Sequence, residues 1–121
     1  MKLLTIIATL LILTAASAFA AQSVKVIDRT PNGYEKLSVT TGAVVQITEV
    51  LRLAARAVFI TVEGANIRFR IDGGDPTSTE GHLVVYSAYQ NIWLNNVAAI
   101  RDLRMIGIGG TATVYVTTYQ E

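Results

Sequence analysis

Cysteine is absent from this chain, which excludes thiol catalysis, disulfide staples and cysteine-based zinc sites. An exported domain of this composition must be held by burial alone, or by its neighbours in an assembly. Histidine occurs once, as His82, so no histidine pair is available to bind a metal. The nearby Ser78 lacks the flanking glycines of a nucleophile elbow, and hydrolase chemistry finds no support. Charge of one sign is also missing. Ten basic residues face nine acidic ones, and setting aside Lys2 makes the two counts equal. Such a chain has no global field to steer polyanions, and no basic cluster interleaves with aromatics, so nucleic acid is not an expected partner. Internal repeats, low-complexity tracts and signs of a second domain are absent as well.

What is present begins with a leader. Met1-Lys2 forms a short positive region, Leu3 to Leu13 is apolar apart from Thr5 and Thr9, and Ala18-Phe19-Ala20 fits a cleavage site. Residues 1–20 are therefore expected to be an apolar signal helix, removed on export, and residues 21–121 a single domain. Contact with a membrane is expected only through this leader, and an exported location follows.

The remainder reads as short apolar runs separated by turn signals, the pattern of an all-β protein. Strands are expected over 23–27, 36–40, 43–48, 57–63, 67–72, 83–86, 91–94, 103–106 and 111–119, with a turn at Pro31-Asn32-Gly33. Ala112, Val114 and Val116 alternate with Thr113, Tyr115 and Thr117, as in a half-buried strand. Gly64-Ala65-Asn66 predicts a tight hairpin, a turn at 87–90 joins 83–86 and 91–94 as a further strand pair, and Gly107-Ile108-Gly109-Gly110 separates the last two strands. The segment 48–58 carries a helical stripe, and Asn96 is placed to cap a helical turn through Arg101. The expected fold class is a single antiparallel β-sandwich of about eight or nine short strands, jelly-roll or immunoglobulin-like.

Residues 63–82, EGANIRFRIDGGDPTSTEGH, combine an alternating strand with a polar, glycine-shaped turn. Arg68 and Arg70 share one face of that strand, where cross-strand carboxylates such as Glu63 are possible partners. Asp72, Asp75 and Glu80 carry oxygens suited to Ca²⁺, but their spacing does not match an EF-hand and Asx-turn behaviour accounts for the two aspartates. Neither a metal nor another cofactor is expected, nor any catalytic residue. Arg68, Arg70, Asp72, Asp75, Thr77, Glu80 and His82 instead form a candidate interaction surface. A second candidate is an aromatic platform of Tyr86, Tyr89 and Trp93, able to stack on a glycan.

The run ARAVFITVEGANIRFRIDGGDPTSTEGHLV resembles a module of small bacteriophage structural proteins, with its strand ending in Val-Glu, its I-R-F-R-x-D-G strand and its P-T-x-T-x-G loop. The resemblance extends through AIRDLRMI (99–106) and the closing strand TATVYVTTY (111–119). It implies a compact β-sandwich associated with the virion, working through surfaces and assembling with itself or with other phage structural proteins, without a cofactor or active site. The shorter stretch IRFRIDGGDPTS is similar to a strand-turn of the immunoglobulin-like domains appended to chitobiases. That likeness implies an exported module recognising glycan or another cell-surface polymer.

Overall fold

The structure, a computed structural model, describes residues 29–121. The leader and the strand expected over 23–27 lie outside the described residues. The chain from residue 29 runs β1 (Thr30–Val39), α1 (Glu49–Ala54), β2 (Ala57–Glu63), β3 (Asn66–Arg70), β4 (His82–Val84), a 3-10 turn (Tyr86–Ala88), β5 (Asn91–Leu94), α2 (Val97–Asp102), β6 (Arg104–Ile108) and β7 (Ala112–Gln120). The seven strands form two antiparallel sheets, one of four strands ordered β1-β7-β2-β5 and one of three ordered β4-β3-β6. Both sheets contribute side chains to one apolar cluster. Val58, Ile60, Val114 and Val116 enter it from the first sheet, and Ile67, Val84 and Met105 from the second.

Alternation explains why the strands lie as they do. Along β7, Ala112, Val114, Val116 and Thr118 are buried, while Thr113, Tyr115, Thr117 and Tyr119 occupy the opposite, half-exposed face. Period-2 patterning of this kind puts one face on the core and leaves the other to solvent. Thr118 is the polar exception, and its hydroxyl donates to Asn32 Oδ1 at 2.8 Å. That bond holds Asn32 where the register of β1 shifts between Pro31 and Gly33. The turn expected at Pro31-Asn32-Gly33 is thus a bulge inside a longer strand. Proline is tolerated there because β1 is an outer strand.

The two expected pairings, 57–63 with 67–72 and 83–86 with 91–94, are not formed. β2 and β3, β4 and β5, and β6 and β7 each divide between the two sheets. Their connections are arches across the core, and the buried Ala65 fills the first of them while Gly64 makes its turn at a φ of 85°. The strand expected over 43–48 is reduced to one bridge, Val45 with Met105. Both short helices sit where the sequence allowed a helical turn. Asn96 Oδ1 accepts from Ala99 N at 3.1 Å and caps α2. The carboxylate of Glu35 accepts from the backbone N–H and the hydroxyl of Thr48, which satisfies donors at the start of α1.

Candidate interaction surface

The loop between β3 and β4 is built from its arginines outward. On the outer face of the three-stranded sheet, Arg70 lies directly opposite Arg104 and Arg68 opposite Leu83 and Ile106. Two like charges across a ladder repel, and the loop supplies their counter-charges. Asp72 takes Arg70 in a forked pair, with Nη2–Oδ2 at 2.6 Å and Nε–Oδ1 at 3.0 Å. Asp75 takes Arg104 at 2.6 Å. Arg68 reaches under the loop and donates to the carbonyls of Ser78 at 3.1 Å and Gly81 at 2.9 Å. Three arginines on two strands thereby hold 72–81 against the sheet.

Local turn chemistry completes the loop. Asp72 Oδ1 also accepts from Gly74 N, the expected Asx-turn, and Gly73 adopts a φ of 83°. Thr77 Oγ1 accepts from the backbone N–H groups of Thr79 and Glu80, and Pro76 is buried beneath. Hydrogen bonds from Arg70 and from the Gly74 N–H lower the Asp72 pKa from 3.8 to about 2. The seven residues expected to form one surface therefore divide by task. Arg68, Arg70, Asp72, Asp75 and Thr77 have their polar atoms engaged in holding the loop. Glu80 is exposed at its rim, and His82, at the start of β4, packs against Phe69 in a tilted arrangement with ring centroids 5.2 Å apart. Glu63 pairs with neither Arg68 nor Arg70. It lies instead near Tyr115, whose phenol is pushed up by partial desolvation first and by the Glu63 carboxylate second. Among the described residues, no three His, Asp or Glu side chains converge to hold a metal ion.

The aromatic trio lies at the edge where both sheets stop. β4 ends one sheet and β5 ends the other, and the segment from Val85 to Gln90 links them. Gln90 Oε1 accepts from Val85 N at 2.8 Å, and Asn66 Oδ1 accepts from Tyr86 N at 3.1 Å, so the link is pinned at both ends. Tyr89 is the sole non-glycine residue with positive φ among the described residues, at 54°, and its side chain is 92% exposed. A bulky residue in the left-handed region is uncommon and costs backbone energy.

Tyr86 and Tyr89 line a cleft of about 640 Å³ with Thr61, Glu63, Gln90 and Asn91. Tyr89 and Trp93 line a second, of about 680 Å³, with Leu83, Phe69 and His82. The trio is thus spread over two clefts sharing Tyr89, not gathered into one flat platform. Trp93 is flanked on the outer face of the four-stranded sheet by Phe59 at 5.8 Å and Tyr119 at 5.3 Å, ring centroid to ring centroid. Leu83, Phe59 and Tyr119 are the residues that sequence reasoning missed here. For Leu83 the available signal was the uncharged run from Leu83 through Ile100, whereas Phe59 and Tyr119 reach Trp93 only through the sheet order.

Comparison with known proteins finds no matching family model, no similar characterised protein and no similar solved structure.

Proposed function

We propose that the protein is a non-enzymatic structural or interaction protein, a β-sandwich of jelly-roll or immunoglobulin-like kind. It is of the small bacteriophage, virion-associated type that its sequence resembles, and it works by assembling with copies of itself or with a larger structural protein. One observation carries this reading. Three large aromatic side chains stand exposed around the end of β5, Tyr86 at 41%, Tyr89 at 92% and Trp93 at 49%, and they line two clefts that share Tyr89. Exposed Tyr and Trp side chains are what protein interfaces use for anchors. Export by the leader would bring the protein to the cell surface or medium before it meets its partner.

Particles purified on a density gradient from an infected or induced culture test this assignment. Recovery of the protein in particles at a fixed copy number, retained after a high-salt wash, is the expected result. Its complete absence from particles, with the protein free in the medium, contradicts the virion reading.

The cleft shared by Tyr86 and Tyr89 favours a second reading, an exported module that binds glycan. Glu63, Gln90, Asn91 and Thr61 surround the two rings with hydrogen-bonding groups, the mixture a sugar requires. Calorimetry against soluble cell-surface polysaccharides checks it. Binding abolished by Tyr89→Ala supports this reading, and no heat with any polysaccharide removes it.

A further inference from the structure

We infer that the open side at β5 is a self-association surface, on which a second copy of this chain pairs edge to edge about a two-fold axis. The inference rests on the structural-protein reading above and specifies its partner and contact. It starts from how the strand edges are treated. An unpaired edge is a template for another strand, and folded proteins guard it with charge, proline, bulges or covering segments. The outer edge of β1 carries Lys36, Pro31 and the Pro31–Gly33 bulge. The edge of β6 is covered by the loop that follows β1, through Val45 N to Met105 O at 2.8 Å, Met105 N to Val45 O at 2.9 Å and Gly107 N to Thr40 O at 2.8 Å. β4 is a three-residue strand beginning at His82. β5, Asn91–Leu94, has no charge, proline or bulge, and the chain is uncharged from Leu83 to Ile100.

The missing charge also selects the occupant. About a two-fold axis each residue meets its own kind, so any charge near the axis would face its duplicate. A strip without charge is compatible with its own copy. It offers nothing to steer or hold a charged partner.

Area gives the same answer. The exposed parts of Tyr86, Tyr89 and Trp93 come to about 450 Å² per copy, roughly 900 Å² over a pair, the size of a weak and concentration-dependent interface. A four-residue ladder supplies little area itself. Its role is register, because in an antiparallel pair alternate residues turn their N–H and C=O outward and opposed side chains fall on one face. A two-fold axis at Ile92 or at Trp93 therefore keeps the outward Asn91 and Trp93 together, and extends the four-stranded sheet continuously into its copy. The strained, exposed Tyr89 then has a task, as a projecting anchor that the neighbour covers.

Sedimentation equilibrium at low salt, over a concentration series of the folded domain, tests the inference with three proteins: wild type, Asn91→Lys and Asn91→Glu. Asn91 is exposed, and thermal unfolding by circular dichroism checks that both variants fold. The wild type is expected to dimerise with concentration. Each variant should weaken dimerisation about tenfold or more through like-charge repulsion, and an equimolar mixture of the two should restore it. Val50→Lys, an exposed apolar site on α1, should leave the dimer unchanged. A wild type that stays monomeric at every concentration overturns the inference, as does a dimer indifferent to the Asn91 variants. Either outcome leaves the structural-protein reading standing, since that is decided by the content of purified particles. Should the variants not fold, slower hydrogen exchange at 91–94 in concentrated wild type supports the surface, and unchanged exchange there overturns it.

Discussion

Gly107→Ala places a single methyl group where the account of packing is most exacting. Gly107 lies in the middle of β6, buried, opposite Ile67. A Cβ built there sits 2.7 Å from the carbonyl oxygens of Gly110 and Val39 and 3.0 Å from the carbonyl carbon of Thr40. All three are backbone atoms, so no side-chain rotation relieves the clash. The strand must move away from the point where the chain leaves β1, and the Gly107 N–H to Thr40 O bond of 2.8 Å lengthens or breaks. Overpacking of this kind costs about 1–3 kcal/mol, and a lost backbone hydrogen bond about 0.5–1.5. Replacing glycine returns about 0.4–1 kcal/mol by restricting the unfolded chain. The net expectation is a loss of about 2 kcal/mol, which lowers the melting temperature of a domain this size by about 10 °C. Gly42→Ala is the control. No atom lies within 4 Å of its added methyl and its φ is not left-handed, so it should be neutral or slightly stabilising. Urea and thermal unfolding followed by circular dichroism measure both. Equal midpoints for Gly107→Ala and wild type would refute the packing argument.

Other outcomes follow from the loop, the helix cap and the strained tyrosine. Asp72 should titrate near 2 by NMR, and the stabilisation linked to it is complete above its unfolded pKa near 4 and lost as pH falls through about 2; a pKa of 3.8 in the folded protein would dissolve the Arg70 pairing. Asn96→Ala removes the acceptor for Ala99 N and should cost about 1 kcal/mol in denaturant melts, whereas no change would mean the cap is idle. Tyr89→Gly relieves a left-handed tyrosine, worth about 1–2 kcal/mol less the glycine's own entropic cost, so stability should hold or rise by up to about 1 kcal/mol. The same variant should associate more weakly, and unaltered association would remove Tyr89 from the interface.

Much of the local structure was legible because local rules produced it. The alternation of β7, the common face of Arg68 and Arg70, the Asx-turn at Asp72 and the Asn96 cap depend on neighbours a few residues away. What escaped was set by distant partners. A connection as short as Gly64-Ala65 reads the same whether it closes a hairpin or arches over a core, and the difference lies in β7 and β5 taking both edges of β2. Pro31-Asn32-Gly33 reads as a turn until Thr118, far along the chain, supplies the hydroxyl that settles Asn32 inside a strand. The counter-charges of Arg70 and Arg104 were equally hidden. Their repulsion exists only once β3 and β6 are in register, and only then do Asp72 and Asp75 acquire their structural role. The candidate loop turned out to be occupied with its own fold. Tyr86, Tyr89 and Trp93 were visible as a sequence cluster, but their division over two clefts at an unguarded edge required the sheet order.

If β5 pairs with a second copy of this chain, its backbone amides become protected as protein concentration rises. Hydrogen exchange at low and at high concentration reads this residue by residue. Protection within Asn91–Leu94 is expected to rise with concentration while exchange along the guarded edge of β1 stays constant. Protection at β5 that is independent of concentration, or a rise confined to β1, would contradict it.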